Sequence, residues 1–242
     1  MKLSFYRLIS KNLSLLVIVL LISGSLITKN CSAQAALMSM IFGDKVATEN
    51  FHTSLDLGMN FSALPGLDKG TYKHGFYLGL GTFIKMNEKW ALTPEFKPLS
   101  QRGARKVNPI RVFEGVADPR YDIILNYIDV PVLVQYRIST KLFVSAGPQI
   151  SLLTKALQST AGTAESPHND VKILEDFTDS FNRLYLSIPL EIGYSIHDIS
   201  NNQDMNIKIR YCIGLNEVIA DEAFASSNIS SFQVFLSFPF MK

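Results

Sequence analysis

The chain has 242 residues, 47% of them hydrophobic and 18% charged, with a formal net charge of +2. That length suits a single domain, since all-β barrels reach this size undivided. The near-balanced charge gives no electrostatic footprint for a nucleic-acid partner.

The first element is a targeting segment. Lys2, Arg7 and Lys11 form a basic start, and residues 13–27 are apolar with only Ser and Gly as interruptions. The run Cys31-Ser32-Ala33-Gln34-Ala35 then supplies small residues for cleavage. An apolar run of roughly 15 residues is short for a spanning helix, which needs ~20. Lys29 and Asn30 stand where a lipid-attachment site at Cys31 would require small apolar residues. The expected organisation is a cleaved signal over 1–33, a short segment over 34–50 and one barrel domain over 51–242. Cleavage removes four of the 23 basic residues, Lys2, Arg7, Lys11 and Lys29, and no acidic one. Nineteen basic residues then face 21 acidic ones, and the formal charge becomes −2. Only Cys212 survives cleavage, so no internal disulfide is expected.

Period-two alternation begins at residue 51 and marks eight strands. The first has Leu55, Leu57, Met59 and Phe61 against Ser54, Asp56, Gly58 and Asn60. The second, 74–84, sets Phe76, Leu78 and Leu80 against Tyr77, Gly79 and Gly81. The third, 90–99, carries Pro94, which removes a ladder donor and weakens the pattern. The fourth, 126–138, alternates Ile128, Val130, Val132 and Val134 with Asp129, Pro131, Leu133 and Gln135. The remaining four are predicted over 142–153, 184–196, 206–215 and 229–240. Each has roughly the 9–11 residues that cross a bilayer at a tilt.

The connections sort by length. Three are short, around 87–88, 139–141 and 197–204. Four are long: 62–73, 100–121, 155–183 and 216–228. An up-and-down barrel that starts in the periplasm puts every short link on one side of the membrane and every long one outside. The expected fold is therefore an all-β, eight-stranded antiparallel up-and-down transmembrane barrel in the outer membrane. A soluble lipocalin-like ligand-binding barrel is the minor alternative. The unbroken apolar faces of 128–138 and 232–240 speak against it, because a soluble barrel turns a polar face outward.

Several motifs resemble those of the PorT-like outer-membrane β-barrels of Bacteroidota. They are Gly75-Phe76-Tyr77-Leu78-Gly79, Trp90-Ala91-Leu92-Thr93-Pro94-Glu95-Phe96, Tyr127-Ile128-Asp129-Val130-Pro131-Val132, Val144-Ser145-Ala146-Gly147-Pro148 and Arg210-Tyr211-Cys212-Ile213-Gly214-Leu215. The resemblance implies an eight-stranded outer-membrane barrel and little about activity.

Candidate chemistry is sparse. The inward faces carry a possible lumen charge network of Glu95, Lys97, Asp129, Arg137, Glu191, Lys208 and Arg210. Such charges are expected to neutralise one another, because an unpaired buried charge is costly. The second long loop is basic, with Arg102, Arg105, Lys106, Arg111 and Arg120, a possible contact for the phosphates of lipopolysaccharide. The third holds Glu165, Asp170, Glu175, Asp176 and Asp179, without an EF-hand pattern that would make calcium a firm expectation. Within it, Ile173, Leu174, Phe177 and Phe181 stand at helical spacing and predict a short amphipathic helix over 171–181. His52, Ser54 and Asp56 share one strand face, and adjacent residues of one strand rarely converge as nucleophile and base. No enzyme, cofactor or metal is expected. The expected role is structural or interactive, with outer-membrane lipid around the barrel and an envelope or surface protein as a possible partner of the external loops. The alternative is a small-solute or ion channel.

Overall fold

Alternating apolar and polar residues can satisfy a bilayer only if every backbone group is paired, which requires a closed sheet. The computed structural model describes residues 50–64, 71–112, 114–164, 169–198, 203–219 and 228–240. Its strands are β1 (Phe51–Ala63), β2 (Thr71–Lys85), β3 (Trp90–Arg105), β4 (Val116–Arg137), β5 (Leu142–Ala146), β6 (Gln149–Ala164), β7 (Asp170–Asp176), β8 (Leu184–Asp198), β9 (Gln203–Gly214) and β10 (Ser230–Phe240). The first and last strands pair over eleven residues, from Thr53 opposite Phe240 to Ala63 opposite Ser230, and this closes the ring. β5 and β6 share one place in it between β4 and β8, broken at Gly147-Pro148. The ring therefore has eight positions, all antiparallel.

Side chains are arranged inside out. Ile188, Leu190, Ile192, Ile207, Ile209, Phe232, Val234 and Leu236 are exposed on the outer wall, where lipid covers them. Asp56, Glu95, Lys97, Asp129, Glu191, Lys208, Arg210 and Gln233 are buried within. Gly79 is part of this packing, because a Cβ there would come within 2.6 Å of Lys97 Cγ. The small residues on the inner face of β2 make room for long side chains from its neighbours.

Two expectations change. Residues 171–176 form a strand, β7, hydrogen-bonded to β6 from Leu157–Asp176 to Thr163–Asp170; only Thr178–Ser180 is helical, as one 3-10 turn. Their helical spacing is outweighed by the exposed edge of β6, which offers Val171 and Ile173 a ladder. Second, β4 starts at Val116, not near 126, and runs for 22 residues. That is about twice the length a bilayer crossing needs, so the wall formed by β4, β6 and β7 continues beyond the membrane. The outer apolar stripe of β4 ends where Asn126 accepts a hydrogen bond from Gln101 of β3, 3.3 Å.

Above that level the polarity reverses. The inner face becomes apolar, with Ile123, Leu125 and Tyr127 of β4, Leu153 and Ala156 of β6, and Tyr185 of β8. Val107, Phe181, Val218 and Ile219 from the long connections pack onto it. Phe181 and Ile219 form an isolated bridge, and the Asn182 amide donates to Val218 O at 2.8 Å. The long connections thus fold back over the mouth. The barrel has a polar core within lipid and an apolar core within water, as each solvent dictates.

Candidate functional site

The inner charges gather around Arg210 on β9. Its two terminal nitrogens donate to the carboxylate oxygens of Glu95 on β3, at 2.8 and 2.7 Å. Its Nε donates to Glu191 Oε2 on β8 at 2.9 Å, and Nη2 also reaches that oxygen. Glu191 is directly opposite Arg210 in the β8–β9 register, so that pair follows from the ladder. The Glu95 pair does not. β3 and β9 lie four positions apart whichever way the ring is followed, so this bidentate pair spans the lumen.

Two lysines complete the cluster. Lys97 Nζ stands 3.0 Å from Glu95, and Lys208 Nζ stands 4.0 Å from both Glu95 and Glu191. The Ser145 hydroxyl donates to Glu191 at 3.2 Å. Phe235 projects among the cations: Lys97, Lys208 and Arg210 lie 5.1, 5.5 and 4.9 Å from its ring centre. Tyr77 meets the same ring edge-on at 5.1 Å. Such cation–ring contacts gain strength where water is excluded. Asp56, also buried, accepts from the Ser54 hydroxyl at 3.1 Å.

A second pair lies nearer the mouth. Arg102 Nη2 donates to Asp129 Oδ2 at 2.5 Å, with the guanidinium 5.0 Å from the Tyr127 ring. Among the described residues the buried cations are Lys97, Arg102, Lys208 and Arg210, and the buried carboxylates are Asp56, Glu95, Asp129 and Glu191. Their formal charges balance, four against four.

Arg102 was expected in the basic external loop; it is inside the barrel. Lys97 faces Asp129 and Ser100 faces Tyr127, so β3 carries one extra residue between those pairs. This bulge at Pro98-Leu99 flips the alternation and turns Arg102 inward. Arg137 was expected in the lumen network. It is exposed as the last residue of β4 at the short-turn rim, where its amide donates to Lys89 O at 2.8 Å. Its alternation is correct, but the enclosed lumen ends before it. The other six expected network residues, Glu95, Lys97, Asp129, Glu191, Lys208 and Arg210, are all buried.

Of the remaining loop cations, Arg105 stands 3.7 Å from Asp122, and Arg111 bonds Glu175 at 2.9 Å. Lys106 and Arg120 are exposed. Gln158 on β6 was not anticipated. Its amide oxygen accepts from the Ile110 and Arg111 backbone N–H groups at 2.7 and 3.3 Å, and its amide nitrogen donates to Arg111 O at 2.7 Å. It latches the β3–β4 connection over the apolar core, and only its parity on β6 could have hinted at this.

The other candidates do not assemble. His52 stacks on Phe83 with ring centres 4.7 Å apart, and the Ser54 hydroxyl is given to Asp56. Glu175, Asp176 and Asp179 engage Arg111, Lys155 and Arg183 respectively, while Glu165 lies outside the described residues. No set of metal-ligating side chains comes together among the described residues. The expected signal over 1–33 and the segment over 34–49 lie outside the described residues as well.

The closed ring, its apolar outer wall and its polar core specify a membrane barrel, and the sequence carries a matching family signature. The model of the outer membrane protein β-barrel domain matches residues 33–220. The chain belongs to that family. It is an outer-membrane β-barrel of eight strand positions. No curated protein sequence matches this outer-membrane barrel. Solved structures similar to it include Neisserial surface protein A (NspA), 10% identical over 80% of this chain and 98% of that one, TM-score 0.43. The attachment invasion locus protein Ail of Yersinia pestis, in complex with the heparin analogue sucrose octasulfate, is 14% identical over 79% and 99%, TM-score 0.39. The outer membrane protein OprG from Pseudomonas aeruginosa is 11% identical over 79% and 97%, TM-score 0.42.

Proposed function

We propose that this outer-membrane barrel is a sealed, non-enzymatic anchor whose external end contacts a partner at the cell surface. The observation that carries this is the Arg210–Glu95 pair across the lumen. The apolar plug of Val107, Phe181, Val218 and Ile219 above it adds a second block. An eight-stranded barrel has an interior just wide enough for side chains to fill, and here they fill it. The material outside the bilayer is extensive, since β4, β6 and β7 continue past the end of the apolar wall.

Conductance of the purified protein in planar bilayers tests the seal. Silent bilayers, with insertion verified by labelled protein, are the expected result. Steady single-channel steps would overturn the reading in favour of a solute or ion channel. The exposed cations Lys106 and Arg120, with Arg105 and Arg111 beside them, support contact with lipopolysaccharide phosphate. Arg102 takes no part in this. Weaker lipopolysaccharide binding by Lys106→Ala/Arg120→Ala is the expected outcome. The motifs around Gly75, Trp90, Asp129 and Arg210 support a PorT-like affiliation within Bacteroidota.

A further inference from the structure

Among the described residues, no strand pairs with the outer edge of β7, the last strand of the external wall. Among the described residues β7 pairs with β6 alone, so its other side is a row of free backbone donors and acceptors. Such an edge accepts another strand unless it is protected. We propose that β7 pairs antiparallel with β7 of a second copy of this chain, held by a barrel in a facing membrane. The proposal deepens the reading of the barrel as a sealed surface anchor and rests on it.

The second copy is argued from the side chains. Asp170, Lys172, Leu174 and Asp176 occupy one face of β7, and all are exposed, Leu174 at 54%. An antiparallel pair centred on Leu174 puts Lys172 of each copy opposite Asp176 of the other. The two leucines then meet between two opposite-charge pairs. Directly opposite residues share a face and interact, favourably for unlike charges and unfavourably for like ones. On the other face, Val171 meets Phe177 of the second copy. Lys155 is the basic neighbour of Asp176 at 4.0 Å, and both side chains remain more than half exposed.

Geometry fixes the arrangement. Two edge strands that pair antiparallel through a twofold axis need that axis perpendicular to their sheet. β7 extends the barrel wall, and the wall stands along the membrane normal. The axis therefore lies in the membrane plane and relates two barrels that point at each other. Copies in one membrane cannot satisfy it, whereas copies on two apposed surfaces can.

The test uses the full-length protein, refolded in detergent and in phospholipid vesicles, with folding of each variant verified by its heat-dependent gel shift. Sedimentation equilibrium should give a concentration-dependent dimer, and vesicles carrying the protein should cluster. Lys172→Glu alone and Asp176→Lys alone should each weaken association about tenfold or more, because each sets like charges opposite each other twice. Mixing the two variants should restore it, since the new carboxylate at 172 of one then faces the new ammonium at 176 of the other. The double variant, with its charges exchanged within one chain, should again self-associate. A monomer at all concentrations with unclustered vesicles overturns the proposal, as does association that both single variants retain. Either result leaves the sealed-anchor reading standing, because that reading falls only to steady conductance.

Discussion

Arg210 on β9 holds both carboxylate oxygens of Glu95 on β3, and these strands face each other across the lumen. The same guanidinium carries Glu191 on the neighbouring strand. One side chain therefore ties three strands from opposite sides of the ring, within a region closed to solvent. Arg210→Ala leaves two buried carboxylates with only lysines nearby. Removing one partner of a buried pair costs about 3–5 kcal/mol. The expected outcome is a clearly lower temperature for the gel shift that reports unfolding. Replacing Arg210 and Lys97 together with both carboxylates, as Arg210→Met/Lys97→Met/Glu95→Gln/Glu191→Gln, should recover most of that loss, because two cations and two anions leave together and Lys208 keeps Asp56 as a counter-charge. A single variant as stable as the parent would show that the pair does not hold the barrel.

Arg102 gives a sharper separation between the two readings of the basic segment. If it belonged to an external loop, Arg102→Ala would weaken anion binding and leave stability unchanged. Its hydrogen bond to Asp129 and complete burial predict the reverse. Stability should fall by an amount similar to that of Arg210→Ala, while lipopolysaccharide binding by the folded fraction stays at the parent level. Arg120→Ala, at an exposed position, should show the opposite pattern.

These two arginines also mark where the sequence was legible. Arg210 lies on a strand whose alternation is unbroken, so its inward direction could be read directly from Ile209 and Tyr211 beside it. Arg102 lies past a bulge, and a single extra residue inverts every later assignment on the strand. Pro98 offered the one local sign that the ladder is interrupted there. The eight ring positions were legible because lipid demands a continuous apolar stripe on each strand. The external hairpin was not, because above the bilayer that demand lapses. Ile173 and Leu174 then satisfy helical and extended spacing alike, and the free edge of β6 decides between them. The pairing of Glu95 with Arg210 was beyond sequence reasoning, since it depends on closure of the ring and not on any spacing along the chain.

Gln158 is expected to control the β3–β4 connection. It accepts from two backbone N–H groups and donates to one carbonyl of residues 110–111. Gln158→Leu leaves those groups without partners over an apolar core, at about 1–3 kcal/mol for a buried unsatisfied group. The connection should then open, and trypsin should cleave after Lys106 or Arg111 faster than in the parent protein. Barrel stability, set by the ring and the lumen, should change little. Unchanged cleavage with intact folding would show that Arg111–Glu175 and Val107 hold the segment without the latch.

Asp176, at the membrane-proximal end of β7, provides a titration that can be followed. Its Oδ1 accepts from the Thr178 hydroxyl at 2.5 Å and from the Thr178 backbone N–H at 2.9 Å. The side-chain bond is the larger cause, and together they hold the carboxyl below the ordinary aspartate range. Both bonds favour the ionised form. A depressed value in the folded state means that this contribution is present above the ordinary range and is lost as pH falls through the lowered value, below about pH 4. Thr178→Val removes the hydroxyl donor, and the Asp176 resonance should then titrate closer to the ordinary range. It also removes the acceptor of the Ala156 N–H, 3.0 Å away, so some loosening of the hairpin accompanies the shift. Thr178→Ser keeps both bonds and should titrate like the parent. A valine variant that titrates like the parent would assign the depression to the backbone N–H and to Lys155 and Arg183, not to the hydroxyl.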